Sequence, residues 1–319
     1  MTDQLHSGGT LPTIDVLVDA ADAGLHPWVL DHVPETERRS ALAEELGFWL
    51  HTAAQDLAYA RSFAEVAPHS GEPAASYLDR WLPLGDDGSH VLIGPRYLGR
   101  DPDLPFMGVS GSDRPLAASD AGALQALARR ELAPFAPKFV LVTTSDRIGA
   151  WPGTRPELRQ LVGLLGDLRQ RPVPPELRAV PRTDTTVYDR YRQIYDDDVA
   201  RDPAHVRHTR AETREDLDEL AGQGLLLDVE VDGRWAGIVA AEPDARRGVR
   251  GATVVELILD HPFRGRGYGK HRSSLLARAL PLPDGQCLIG TIHADNTTSY
   301  RSALAAGRVD VGGEILVPL

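Results

Sequence analysis

Apolar residues return at three- and four-residue steps between 35 and 64, where Leu42, Leu46, Trp49, Ala53, Leu57 and Ala60 fall on one stripe. That period predicts an amphipathic helix packed into a core, with Gly47 as the weak point of a single unbroken rod. From 68 to 114 the pattern dissolves into glycine and proline. Two short apolar runs, 91–93 and 106–109, read there as strands on either side of a turn at 99–102. Helical spacing resumes at 120–132, where Leu124, Leu127 and Ala128 share a side, and 139–142 is a compact strand of the buried type. Thr154 stands where a cap would, ahead of Leu158, Leu161, Val162, Leu165 and Leu168, so another helix is expected to run to 168.

Pro172, Pro174 and Pro175 cannot continue a helix and suit a semi-rigid linker. They divide the chain into an N-terminal α/β domain over 11–171, behind a disordered tail at 1–10, and a second domain over 176–319, with 172–175 as the linker. In the second domain a short strand at 177–180 precedes the helical stripe of Val187, Tyr191, Ile194 and Tyr195 and a second helix carrying Leu217 and Leu220. A strand over 225–231 turns at Asp232-Gly233, a preferred two-residue hairpin turn, into 235–242. Then come a strand at 253–260, a glycine-rich loop, a helix over 271–280, a strand at 287–292, a helix over 297–306 stopped by Gly307, and a last strand at 315–317. The order is β-α-α-β-β-β-loop-α-β-α-β, an α/β fold on a mixed sheet.

Composition narrows the setting. Over 319 residues, 42% hydrophobic and 25% charged, the chain has the balance of a globular protein. A net charge of -12 argues against a nucleic acid or an anionic membrane as its main partner. Cys287 is the only cysteine, so an intramolecular disulfide and a cysteine metal cluster are excluded, and its apolar surroundings predict a buried packing thiol. The first ten residues lack the basic-then-apolar layout of a signal peptide, and no apolar run approaches a membrane span. A reducing cytoplasm is the expectation. Lys138 and Lys270 are the only lysines, which reads as compositional bias toward arginine.

The candidate chemistry lies in the loop Arg264-Gly265-Arg266-Gly267-Tyr268-Gly269-Lys270. Glycines alternating with large residues, after a strand and before a helix, let backbone N–H groups converge on an anion at a positive helix end. A Walker loop fails here, because Gly269-Lys270 is followed by His271 and the position five before Gly269 is Arg264. A dinucleotide fingerprint counted from Gly265 and Gly267 fails because its third glycine position is Lys270. Arg/Gln-x-x-Gly-x-Gly/Ala does fit. It resembles the acyl-CoA-binding loop of the GNAT superfamily of N-acyltransferases, and the Asp260-His261-Pro262 lead-in is similar to the one found there. The element order from 177 onward, and Asp295-Asn296-Thr297-Thr298-Ser299 after the next strand, extend the resemblance over the second domain.

That resemblance implies acetyl-CoA, or another acyl-CoA, as co-substrate, and no metal. Gly265, Gly267 and Gly269 would bring backbone amides to the CoA pyrophosphate, with Arg264, Arg266 and Lys270 adding charge and Tyr268 completing the loop. Leu257, Ile258 and Leu259 would hold the pantetheine through strand carbonyl and amide groups, and Asn296 and Ser299 would complete the site from the final helix. For the chemistry, Glu256 is the carboxylate inside the strand and the candidate base, with His293 at the end of the next strand as a second. The position of the family's usual tyrosine acid is Ala303; Tyr300, one turn earlier, is the nearest substitute. The expected reaction is direct attack by an amine of a small molecule or peptide on the thioester, in a monomer or homodimer. The alternative is a non-catalytic acyl-CoA sensor or partner of the same fold. The N-terminal half could be a degenerate copy of that fold: its nearest loop, 109–115, lacks the glycine spacing and an immediate helix.

Overall fold

The computed structural model describes residues 10–203 and 210–319. The disordered tail expected over 1–10 lies, Thr10 apart, outside the described residues. The chain forms two compact units. The first runs to Glu157 and adds Arg246–Gly248 and Gly312–Leu319; the second takes Leu158–Ala245 and Val249–Val311. The division therefore falls at Glu157/Leu158 and not at the prolines, which lie inside the second unit.

In the first unit, helices α1 (Ile14–Ala23), α2 (Pro27–His32), α3 (Glu35–Phe48) and α4 (Leu57–Ala64) precede β1 (Arg80–Pro83), β2 (His90–Tyr97), β3 (Pro105–Ser112), α5 (Ala121–Glu131) and β4 (Phe139–Thr144). The rod expected over 35–64 is two helices. A π-type turn at Trp49–Ala53 ends the first, and Asp56 caps the second by accepting from the Ala58 N–H at 2.7 Å. Gly47 itself is helical, and the break comes two residues after it. Strand β2 lies between β1 and β3, antiparallel to both, and α5 carries the chain from β3 to β4, which pair in parallel at Phe106–Gly108 and Phe139–Leu141. The end of β11 (Val309–Pro318) closes this sheet antiparallel to β4. Its core joins Tyr77, Ile93, Met107, Leu124, Leu127 and Val140.

The second unit contains β5 (Arg155–Leu164) from Leu158 on, α6 (Leu165–Gln170), β6 (Leu177–Pro181), α7 (Tyr188–Arg201), α8 (Arg214–Gly222), β7 (Leu226–Val231), β8 (Arg234–Arg246) up to Ala245, β9 (Val249–Leu259), α9 (Arg272–Ala279), β10 (Cys287–His293) and α10 (Thr297–Ala305). Its strands lie in the order β5-β10-β9-β8-β7-β6. The helix expected over 154–168 is a strand followed by a short helix. Leu158–Leu164 pairs with β10 along its whole length, and the adjacent Leu161 and Val162 point to opposite faces with both fully buried. A doubly covered strand places leucines at steps that mimic a helical stripe. Thr154 caps nothing; its hydroxyl donates to the Trp151 carbonyl at 2.8 Å.

From β6 onward the observed order is the expected one. Asp232 and Gly233 both take positive φ, 50° and 71°, as the predicted tight hairpin turn requires. Tyr191, Ile194, Leu217, Leu220, Leu276 and Leu288 belong to one core under this sheet, and Cys287 is buried as expected. No helix among the described residues is long and apolar enough to cross a membrane.

Candidate functional site

Strands β9 and β10 pair in parallel for only three residues, Gly251–Thr253 with Cys287–Ile289. Beyond Ile289, β10 stays on β5 as far as His293, while β9 runs on to Leu259. A parallel pair that stops in mid-sheet leaves a wedge, and here it opens a cavity of about 220 Å³. Its walls are Val254–Leu257 on β9, Gly290–His293 on β10, the start of α9, and the inner side of α10.

The glycine loop closes one end. Gly265 and Gly267 have φ of 73° and 83°, a backbone region that costs an L-residue roughly 1–2 kcal/mol. Among the described backbone hydrogen bonds none is donated by either glycine. Gly269 reaches the cavity; a Cβ on it would lie 3.1 Å from the Ser302 hydroxyl. A short 3-10 turn, Tyr268–His271, then leads into α9. Amides at positive φ just ahead of a helix suit an anion.

The loop's side chains divide. Arg266 and Lys270 are exposed. The Arg264 guanidinium, expected to add charge to the phosphate site, donates instead to the Leu259 carbonyl at 2.6 Å and to Asp198 at 2.8 and 2.9 Å. Tyr268 turns its hydroxyl to Glu176 at 3.4 Å and borders a different cavity.

Glu256 is the acidic member of the wedge, with 6% of its surface exposed. Its Oε2 accepts from the Tyr195 hydroxyl at 2.6 Å and the Tyr191 hydroxyl at 2.8 Å, and its Oε1 accepts from the Leu257 N–H at 2.8 Å. The Tyr191 oxygen in turn accepts from the Glu212 N–H at 2.8 Å. Burial pushes the Glu256 carboxyl above its ordinary range; the bonds from Tyr195, Tyr191 and Leu257, with the charge of Arg272, pull the other way. Hydrogen bonds to a charged group contribute about 1.5–3 kcal/mol each, comparable with the several kcal/mol of burying one ion. Desolvation wins here, and a carboxylate of raised basicity results.

The other predicted residues fall on both sides of the cavity wall. His293 lines it, with Nδ1 accepting from the Asp295 N–H at 3.1 Å. Asn296 and Ser299 line it too: the Asn296 carboxamide caps α10 by accepting from the Ser299 N–H at 3.1 Å. Tyr300 does not line it. Its hydroxyl donates to Asp310 at 2.7 Å, and burial with that acceptor pushes it up to about 12. Leu257 borders the cavity, but its amide serves Glu256 and its carbonyl accepts from Arg272, while the Leu259 carbonyl accepts from Arg264. Ile258 and Leu259 are buried. The strand groups expected to hold pantetheine at Leu257 and Leu259 are thus already engaged, because two arginines of the loop and helix fold back onto them.

Three side chains of the wedge, Tyr195, Arg272 and Arg308, escaped the sequence, as did Tyr191, which bonds Glu256 without lining the cavity. Tyr191 and Tyr195 read only as an apolar stripe, although two hydroxyls at an i, i+4 spacing were a usable signal. Arg272 and Arg308 carried none. A second cavity, of about 430 Å³, shares Val254 and Val255 with the first and is lined by Glu212, Asp216, Glu219 and Glu242. Burial and the charges of Glu256, Asp216 and Glu242 raise the Glu212 carboxyl above its usual range.

No protein-family model matches the chain, and no curated protein matches it. Among solved structures it is similar to a GNAT-family acetyltransferase from Colwellia psychrerythraea, at 10% identity and a TM-score of 0.45 over 75% of this chain and 84% of that one. It is also similar to a GCN5-related N-acetyltransferase from Kribbella flavida, at 12% identity and a TM-score of 0.42 over 82% and 95%. A conserved protein of unknown function from Bacteroides thetaiotaomicron aligns over 96% and 97%, at 11% identity and a TM-score of 0.42. Likenesses this distant carry no functional weight.

Proposed function

We propose that the chain is an N-acyltransferase that moves an acyl group from acyl-CoA to an amine, with the wedge between β9 and β10 as its active site. The observation that carries this reading is the placement of one buried carboxylate, Glu256, in a cavity whose other end is a glycine loop at a helix start. The amides around Gly265 and Gly267 would take the pyrophosphate, and the wedge would take the pantetheine arm. Bound acyl-CoA supplies an electrophilic thioester carbonyl. Glu256 takes the proton of the incoming ammonium, directly or through one water, and the Tyr191 and Tyr195 hydroxyls hold the ionised carboxylate in place. The acidic cavity beyond Val254 and Val255 favours a cationic amine as acceptor, since four crowded carboxylates are relieved by positive charge.

The first unit fits a degenerate copy of the same plan. It repeats the sequence of strand, crossover helix and parallel strand with three paired positions, β3-α5-β4 matching β9-α9-β10. It carries no glycine loop of the required spacing. A non-catalytic acyl-CoA binder is the second reading, favoured by one observation: Ala303 occupies the cavity wall where an acid for the leaving thiolate is expected, and Tyr300 is turned to Asp310. Thiol release from acetyl-CoA over a panel of amines separates the two. A transferase releases CoA with at least one amine, whereas a pure binder gains thermal stability with acetyl-CoA and releases none.

A further inference from the structure

Arg308, just past α10, is 3% exposed and lines the wedge. Its Nε and Nη2 donate to one backbone oxygen, that of Leu161 on β5, at 3.2 and 2.7 Å. Two glycines make its room. A Cβ on Gly163 of β5 would lie 3.3 Å from the Arg308 stem, and a Cβ on Gly290 of β10 would fall on the guanidinium itself. Among the described residues no carboxylate pairs with Arg308. The charged neighbour that acts on it is another cation, Arg272, and burial with that neighbour brings its pKa down to about 10, so it remains charged at neutral pH. Glu256 acts on Arg272. Burying a cation without a counter-charge is unfavourable, and a fold that clears two glycines for one invites an anion from outside.

Position decides which anion. Gly290 is the first β10 residue beyond the last pair with β9, so Arg308 marks the closed apex of the wedge. Of the loop glycines only Gly269 lines the wedge; Gly265 and Gly267, whose amides would take the phosphates, lie outside its lining, while Gly290 beside Arg308 lies within it. A thioester whose phosphates rest on the loop therefore presents its acyl group, not a phosphate, at Arg308.

We propose that Arg308 is a specificity residue for a carboxylate at the far end of the acyl chain, so that the preferred donor is a dicarboxylic acyl-CoA of the succinyl class. This rests on the acyl-CoA reading of the wedge. The test measures affinities of the full chain for CoA, acetyl-CoA and succinyl-CoA, in the wild type and in Arg308→Met, which keeps the length of the buried stem. Succinyl-CoA is expected to bind the wild type roughly ten-fold or more tightly than acetyl-CoA. Arg308→Met is expected to erase that difference while leaving CoA itself within about two-fold. Equal wild-type affinities for the two acyl-CoAs overturn the proposal without any variant. So does a variant that loses CoA as severely as succinyl-CoA, which would assign Arg308 to a CoA phosphate. If neither CoA nor either acyl-CoA binds, the acyl-CoA reading itself fails, an outcome distinct from binding without discrimination.

Discussion

The Tyr195 hydroxyl donates to Glu256 Oε2 at 2.6 Å, from a helix 61 residues earlier in the chain. That bond, with its companion from Tyr191, decides what the buried carboxylate can do. Each donor favours the ionised form, and burial favours the neutral one. Removing Tyr195's donor in Tyr195→Phe leaves burial less opposed, so the Glu256 carboxyl rises further. A base works when ionised, so the wild-type rate climbs as pH rises through the Glu256 pKa. In Tyr195→Phe that climb should move to higher pH by about one unit or more, from a bond of about 1.5–3 kcal/mol at 1.36 kcal/mol per unit. A pH profile of kcat/KM reads it, and an unmoved midpoint detaches Glu256 from catalysis.

Glu256→Gln removes the base while keeping the size of the side chain. General-base catalysis contributes typically 10²–10⁴-fold, so kcat/KM for amine transfer should drop by about that factor. Affinity for CoA should stay within about two-fold, since the phosphates rest on the loop. Titration calorimetry with CoA, run beside the steady-state assay, separates the two effects; a matching loss of CoA affinity would make Glu256 a structural group.

Gly267 has φ of 83° with open space around its missing side chain. Gly267→Val meets no steric wall and pays only in backbone strain, about 1–2 kcal/mol. The variant should fold with a Tm a few degrees lower and lose the stabilisation by CoA seen in the wild type. Retained stabilisation by CoA at unchanged concentration would remove the pyrophosphate from this loop.

Tyr300→Phe tests the opposite kind of claim. Its hydroxyl bonds Asp310 and does not line the wedge, so turnover should remain within about two-fold while stability falls by about 1 kcal/mol. A hundred-fold loss of kcat with intact folding would restore Tyr300 as the acid for the leaving thiolate.

Much of the second unit was legible because its signals are local. A positive-φ loop needs glycine, a two-residue hairpin needs Asp232-Gly233, and Asn296 announces the start of α10, each within a few residues of the feature it sets. The strand-loop-helix that suits an anion could be recognised for the same reason, and Glu256 stood out as the carboxylate on that strand. Three things depended on distant partners. Leu158–Leu164 took a strand because β10 came to lie along it, where its leucine spacing alone fits a helix equally well. Arg264 was drawn from the expected phosphate site to Asp198 on α7, a choice set by which acid lies within reach. The character of the wedge, with Tyr191 and Tyr195 bonded to Glu256 and Arg308 in the same cavity wall, arose only when helix, strand and loop packed together. Backbone conformation is a short-range property that residue identity dictates directly; strand pairing, ion-pair choice and desolvation depend on what the rest of the chain places alongside.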